Sequence, residues 1–96
     1  MNIKFKDGTT EILKSELNKK GKSAVRIVIQ GIGWGGPKLG LVLDEQKNDD
    51  MVFEANGLKV VAENDLSPML SNALISHHKG LFGNSFRVSS DASSNC

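Results

Sequence analysis

The chain has 96 residues, 39% of them hydrophobic and 24% charged, with twelve basic against eleven acidic side chains and a formal net charge of +1. That length makes one small domain that buries roughly 60–70% of its unfolded surface, so a dimer interface would be a natural supplement. The near-neutral balance lacks the basic footprint of a nucleic-acid binder, and no apolar run approaches the ~20 residues of a membrane span.

The N-terminus carries Lys4 and Lys6 without a following apolar core, so it does not read as a secretory signal, and a cytoplasmic location is expected. Residues 9–20 place Ile12, Leu13 and Leu17 on one helical face, with Thr9 as the expected N-cap, Gly21 as the stop and Glu16 and Lys20 as an i,i+4 ion pair. Lys19, Lys20 and Lys22 cluster at the C-terminal end, where cations complement the helix dipole. Residues 24–30 are a β-branched strand with Val25, Ile27 and Ile29 on one face and Arg26 and Val28 on the other.

Residues 31–40 hold five of the ten glycines, the only tryptophan and one of the two prolines. They read as an irregular loop served by two strands, either a tight turn system or a place where another group comes close. Gly31, Gly33 and Gly36 formally fit G-x-G-x-x-G, but the segment leads through Pro37 and Gly40 into another strand rather than a helix. Without helix N-terminal amides facing the anion, dinucleotide binding is not expected. Within this loop Gly33, Trp34, Gly35 and Gly36 are the interaction candidates, Trp34 reading as a core plug or an interface anchor ahead of a cofactor stack.

Leu39, Leu41 and Leu43 alternate as a second strand, and residues 44–50 form a polar connector expected to be a solvated turn, since they lack the spacing of a calcium loop. Asn56 and Gly57, between residues 51–55 and 58–62, call for a two-residue type I′ hairpin. Residues 65–74 read as a short helix entered through Asp65 or Ser67, followed by strands at 74–79 and 85–89 around a glycine-bearing turn. The expected domain is residues 1–89, with 90–96 a flexible tail bearing Cys96.

No nucleophile can be paired with a base and an orienting acid, so no enzyme constellation emerges. His77 and His78 are adjacent, and in a strand they point to opposite faces, which suits a packing-plus-surface pair better than a shared metal. Cys96 is the sole thiol, which leaves an inert tail residue, an intermolecular bridge or a ligand shared between chains.

The order of parts resembles the HesB/IscA-like family of A-type iron–sulfur carriers. The resemblance is carried best by Asp50, Met51, Val52, Phe53, Glu54, Ala55, Asn56, Gly57, Leu58, Lys59, Val60 and Val61. It implies an α+β, mainly β fold: a compact mixed β-structure, barrel- or sandwich-like, with short helices and often paired into homodimers or higher assemblies. It also implies iron–sulfur or iron handling rather than catalysis, with iron–sulfur assembly or acceptor proteins as partners.

The family uses a cysteine in the glycine-rich loop and a Cys-Gly-Cys near the C-terminus. Here Trp34 or Gly36, depending on the direction of alignment, stands at the loop position, and only Cys96 matches a family ligand. A cluster takes about four protein ligands, of which a symmetric dimer would supply two from Cys96. Three readings stay open: a divergent carrier using Cys96 with exogenous thiols, a cluster-free binding module built around the Trp34 loop, and a chain cut at a selenocysteine codon, since some members of the family carry selenocysteine near the tail.

Overall fold

Alternating apolar runs dominate the sequence, and each must place its apolar face against another element. A computed structural model describes residues 2–34, 36–80 and 83–90 and shows how this is done. The elements are β1 (Ile3–Phe5), α1 (Thr9–Lys20), β2 (Ala24–Gly33), β3 (Gly36–Asp44), β4 (Met51–Ala55), β5 (Leu58–Ala62), a 3₁₀ helix (Asn64–Met69), β6 (Ala73–Gly80) and β7 (Gly83–Ser90). The strands form one seven-stranded sheet in the order β1-β6-β7-β3-β2-β5-β4. It curls into a nearly closed, barrel-like structure, and the expected α+β, mainly β class is what is found.

Helix α1 covers the core with Leu13 and Leu17, both buried, while Ile12 is half-buried. Fully burying a leucine stabilises by roughly 1.5–3 kcal/mol before entropy, which is what holds a 12-residue helix too short to be stable alone. Its N-cap is Gly8 in the left-handed region (φ 82°), not Thr9, which is the first helical residue and fully buried. The C-terminus is as expected: Gly21 at φ 67° closes a Schellman arrangement in which its N–H donates to Asn18 O and that of Lys22 to Leu17 O. Glu16 pairs with Lys19 (3.6 Å) rather than with Lys20.

The β4–β5 hairpin forms as expected, with Asn56 at φ 54° and Gly57 at φ 78°, as a type I′ turn requires. Leu58, Val60, Val61 and Ala62 of β5 are all buried, because β5 lies between β2 and β4. The segment expected to be helical over 65–74 is instead a single 3₁₀ stretch, and Leu74 belongs to β6. Pro68 inside the 3₁₀ helix cannot donate to the preceding turn, and buried Leu66 and Leu70 pin the stretch to the core before it can lengthen.

β1 carries no signal beyond Ile3 and Phe5 flanking Lys4, and its place is set from afar. It pairs in parallel with β6, Ile3 opposite Ala73 and Phe5 opposite Ile75. The junction is extended by Asn2 N–H to Leu70 O, Ala73 N–H to Asn2 O and Lys6 N–H to Ile75 O at 2.9–3.0 Å. β6 and β7 pair along their length, through Ser90 opposite Ala73, so the last strand runs one residue past 89. Leu81, Phe82 and the tail from residue 91 onward, with Cys96, lie outside the described residues.

Candidate functional site

The glycine-rich stretch is not an irregular loop. β2 continues to Gly33 and β3 begins at Gly36, so the two strands make one long antiparallel hairpin. From Ala24 opposite Asp44 the ladder runs to Ile29 opposite Leu39, shifts register across Gln30, and resumes as Gly31–Lys38, Ile32–Pro37 and Gly33–Gly36. The register shift is a bulge, which bends the arm and raises its twist. Gly40 makes room for it: the Gln30 side chain lies where a Cβ on Gly40 would stand. The stem of Lys38 likewise lies over Gly33, its Cε 2.8 Å from where a Cβ would be.

The candidates Gly33 and Gly36 are therefore ladder partners at the tip, and Trp34 sits in the turn between them. Gly35 lies outside the described residues. Trp34 is 108% exposed and Ile32 84%, which removes the core-plug reading of the tryptophan. Between Arg26 and Asp44 the only charge is Lys38, so the arm is an almost uncharged ribbon with bare apolar side chains.

At the root of the arm stands a group that sequence reasoning left unremarked. Arg26, 6% exposed, sits among apolar neighbours in β2 and is held by two carboxylates. Its Nε donates to Asp44 Oδ2 (2.6 Å), Nη1 and Nη2 to the two oxygens of Asp50 (2.8 and 2.6 Å), and Nη2 also to the carbonyl of Glu45 (3.1 Å). Asp50 further accepts from Lys47 N–H (2.6 Å), and its side chain is only 4% exposed. The bidentate guanidinium holds the Asp50 carboxyl at about 2, below its usual 3.8. Asp44 is also lowered, first by the N–H of Glu45 and then by Arg26, while hydrogen bonding to Asp50 raises the guanidinium further.

The 44–50 connector is the expected exposed turn, with residues 45–49 all exposed, and Arg26 ties it to the sheet at both ends. A lone arginine in a β-branched strand followed by two aspartates was the available signal, since a buried guanidinium needs partners.

The histidines do what their strand setting predicts. The His77 ring meets Phe86, its cross-strand partner, at 5.4 Å between centroids, and exposed His78 places Nε2 3.2 Å from Ser76 Oγ. Among the described residues no group of three or more His, Cys, Asp and Glu side chains could hold a metal ion, and none of these residues is a cysteine. Trp34 and Gly36, where the resemblance would put a thiol, carry none.

Comparison with known proteins matches this architecture. No protein-family model matches the chain. The chain is 34% identical over 88 residues to an iron–sulfur cluster insertion protein ErpA of Marinobacter nauticus, covering 90% of this chain and 78% of that one. It is 38% identical over 65 residues to the ErpA of Blochmanniella floridana, covering 67% of this chain and 55% of that relative. Among solved structures, Escherichia coli SufA superposes with a TM-score of 0.79 at 18% identity over 99% of this chain and 85% of SufA. IscA, crystallised with a [2Fe-2S] cluster, superposes at 0.73 and 19% identity over 93% of this chain and 85% of IscA. With 34% identity extending over 90% of this chain and 78% of a relative, the chain belongs to the HesB/IscA-like family of A-type carriers.

Proposed function

We propose that the chain carries iron–sulfur clusters, or iron, as cargo between assembly and acceptor proteins, and that it is not an enzyme. The observation that carries this reading is the 34% identity spread over 88 residues to a protein named for cluster insertion. Cys96, the sole thiol, is the ligand this reading requires. One thiol per chain cannot complete a shell of about four ligands, so two copies would share the cargo and exogenous thiols would fill the remaining positions.

The test is anaerobic reconstitution of the purified chain with ferrous iron and sulfide, followed by visible absorption and iron and sulfide content per chain. A cluster spectrum with stoichiometric iron and sulfide, lost in Cys96→Ser, is the expected result. Colourless, iron-free protein, or loading indifferent to Cys96→Ser, overturns the assignment.

A second reading is favoured by one feature of the arm. Trp34 stands wholly exposed on a hairpin that lacks the family's loop thiol, which suits a binding module that has exchanged ligation for contact. In that case Trp34→Ala abolishes capture of an iron–sulfur acceptor protein while the thermal melt stays unchanged; undiminished capture counts against it.

A further inference from the structure

Lys4 of β1 stands opposite Leu74 of β6, and Leu74 opposite Ser89 of β7, so the three lie in one row across the sheet. Side chains alternate along a strand, and Ile3, Ala73, Ile75 and Val88 are buried on the core side, which leaves this row on the outer face. An open pocket of about 440 Å³ lies there, lined also by Asn2, Asn72 and Ser90. Asn2 Nδ2 donates to Asn72 Oδ1 at 3.1 Å, which sets the two carboxamides side by side.

The charge of this face has one sign. β1, β6 and β7 contain no acid, Lys4 lines the pocket, Lys6 follows two residues on, and Arg87 shares the outward side of β7 with Ser89. The acids nearest in sequence are Asp7, in the turn into α1, and Asp91, which lies outside the described residues. The 360 Å³ pocket beside Arg26 is the opposite case: Asp49, Asp50, Glu63 and Asp65 outnumber Arg26 and Lys47 in its lining and repel an anion. Ser90 is also the residue from which the chain leads on to Cys96, six positions later. Six residues span at most about 20 Å, which bounds the distance of that thiol from the pocket's rim.

We infer that this pocket binds a small peptide thiol bearing carboxylates, of the size and charge of glutathione, and so seats one of the exogenous thiols near Cys96. The choice of a thiol rests on the proposed carrier role, whereas the recognition chemistry is that of the pocket alone. Lys4 pairs with a carboxylate, and the carboxamides of Asn2 and Asn72 match the donors and acceptors of a peptide backbone. Leu74, 39% exposed, gives the ligand's methylene stems an apolar contact. The volume lies within the ~300–1,000 Å³ of small-molecule sites. A thiol without carboxylate or amide, such as 2-mercaptoethanol, gives Lys4 nothing to pair with. The bound thiol ligates iron as thiolate, its proton passing to solvent.

The test is a titration of the metal-free chain with S-methylglutathione, followed through amide chemical shifts. The blocked sulfur excludes disulfide exchange with Cys96 and ligation of iron, so binding is read apart from cluster loading. The expected result is saturable shifts at residues 2–4, 72–74 and 89–90, with affinity weakened at least ~10-fold in Lys4→Glu and by less in Lys4→Gln. Lys4 is exposed, so both variants keep the fold, as far-UV circular dichroism will verify. Lys20→Glu, an equal change of net charge at the exposed end of α1, should bind as wild type does, and sodium acetate at the same ionic strength should not reproduce the shifts. No saturable shift by ~10 mM, shifts centred elsewhere, equal losses in Lys4→Glu and Lys20→Glu, or acetate acting as well as the peptide would overturn the inference. Binding without successful reconstitution would sink the carrier role and leave the pocket standing; reconstitution without binding would do the reverse.

Discussion

Replacing Asp50 by Asn removes one charge from the ion-paired root of the β2–β3 arm while keeping the side chain's size. Arg26 and Asp50 have side chains 8% and 4% exposed, so the guanidinium left behind keeps Asp44 as its one charged partner, with a side chain 31% exposed, beside the carbonyl of Glu45. Two estimates bracket the cost. The depression of the Asp50 carboxyl from 3.8 to about 2 corresponds to roughly 2 kcal/mol of differential stabilisation. Breaking a buried pair by deleting one partner costs about 3–5 kcal/mol. We therefore expect Asp50→Asn to lower stability by about 2–4 kcal/mol, a fall in Tm of roughly 10–25 °C for a domain of this size.

The pH dependence follows from the direction of the shift. Asp50 is more acidic folded than unfolded, so its contribution is complete above the unfolded value of 3.8 and is lost as pH falls through the folded value of about 2. Urea melts at pH 7 and at steps down to pH 2 should show wild type and Asp50→Asn converging at the acid end. Replacing both buried partners by apolar residues, Arg26→Met with Asp50→Leu, should recover most of the loss, because the one charge left without its partner, Asp44, is 31% exposed and solvated. A single variant within ~0.5 kcal/mol of wild type at pH 7, or a constant gap from pH 7 to pH 2, would refute the role given to this pair.

Gly57→Ala should cost about 1–2 kcal/mol in chemical denaturation, since Gly57 sits at φ 78° and a Cβ there is strained even though its nearest neighbour is only the flexible end of Lys14; an unchanged midpoint would mean that the turn relaxes to another type. Thr9→Val should be neutral or stabilising by up to about 1 kcal/mol, because Thr9 Oγ1 is buried without a hydrogen-bond partner and Thr9 does not cap the helix; a loss above ~1 kcal/mol would restore a polar role for the hydroxyl.

What the sequence determined by itself was set by neighbours a few residues apart. The type I′ hairpin at Asn56 and Gly57, the left-handed stop at Gly21 and the burial of Leu13 and Leu17 on one face of α1 are local choices, in which φ preference and side-chain period agree with burial. Family membership was legible for a similar reason, since the run from Asp50 to Val61 packs a hairpin and an ion-pair anchor into twelve consecutive residues.

Tertiary structure decided what depends on distant partners. Ile3 to Phe5 is too short to show a period and becomes a strand only because Ala73 to Ile75 lies alongside. Arg26 could enter an apolar strand only because Asp44 and Asp50 return to it from 18 and 24 residues away. The glycines of residues 31–40 looked like a loop because glycine has weak strand propensity, yet cross-strand pairing with residues 36–39 carries the ladder through them to the turn. Whether Trp34 is buried or bare depends on how far that hairpin reaches beyond the sheet, a length set by where β5 stops accompanying β2, and no local pattern records it.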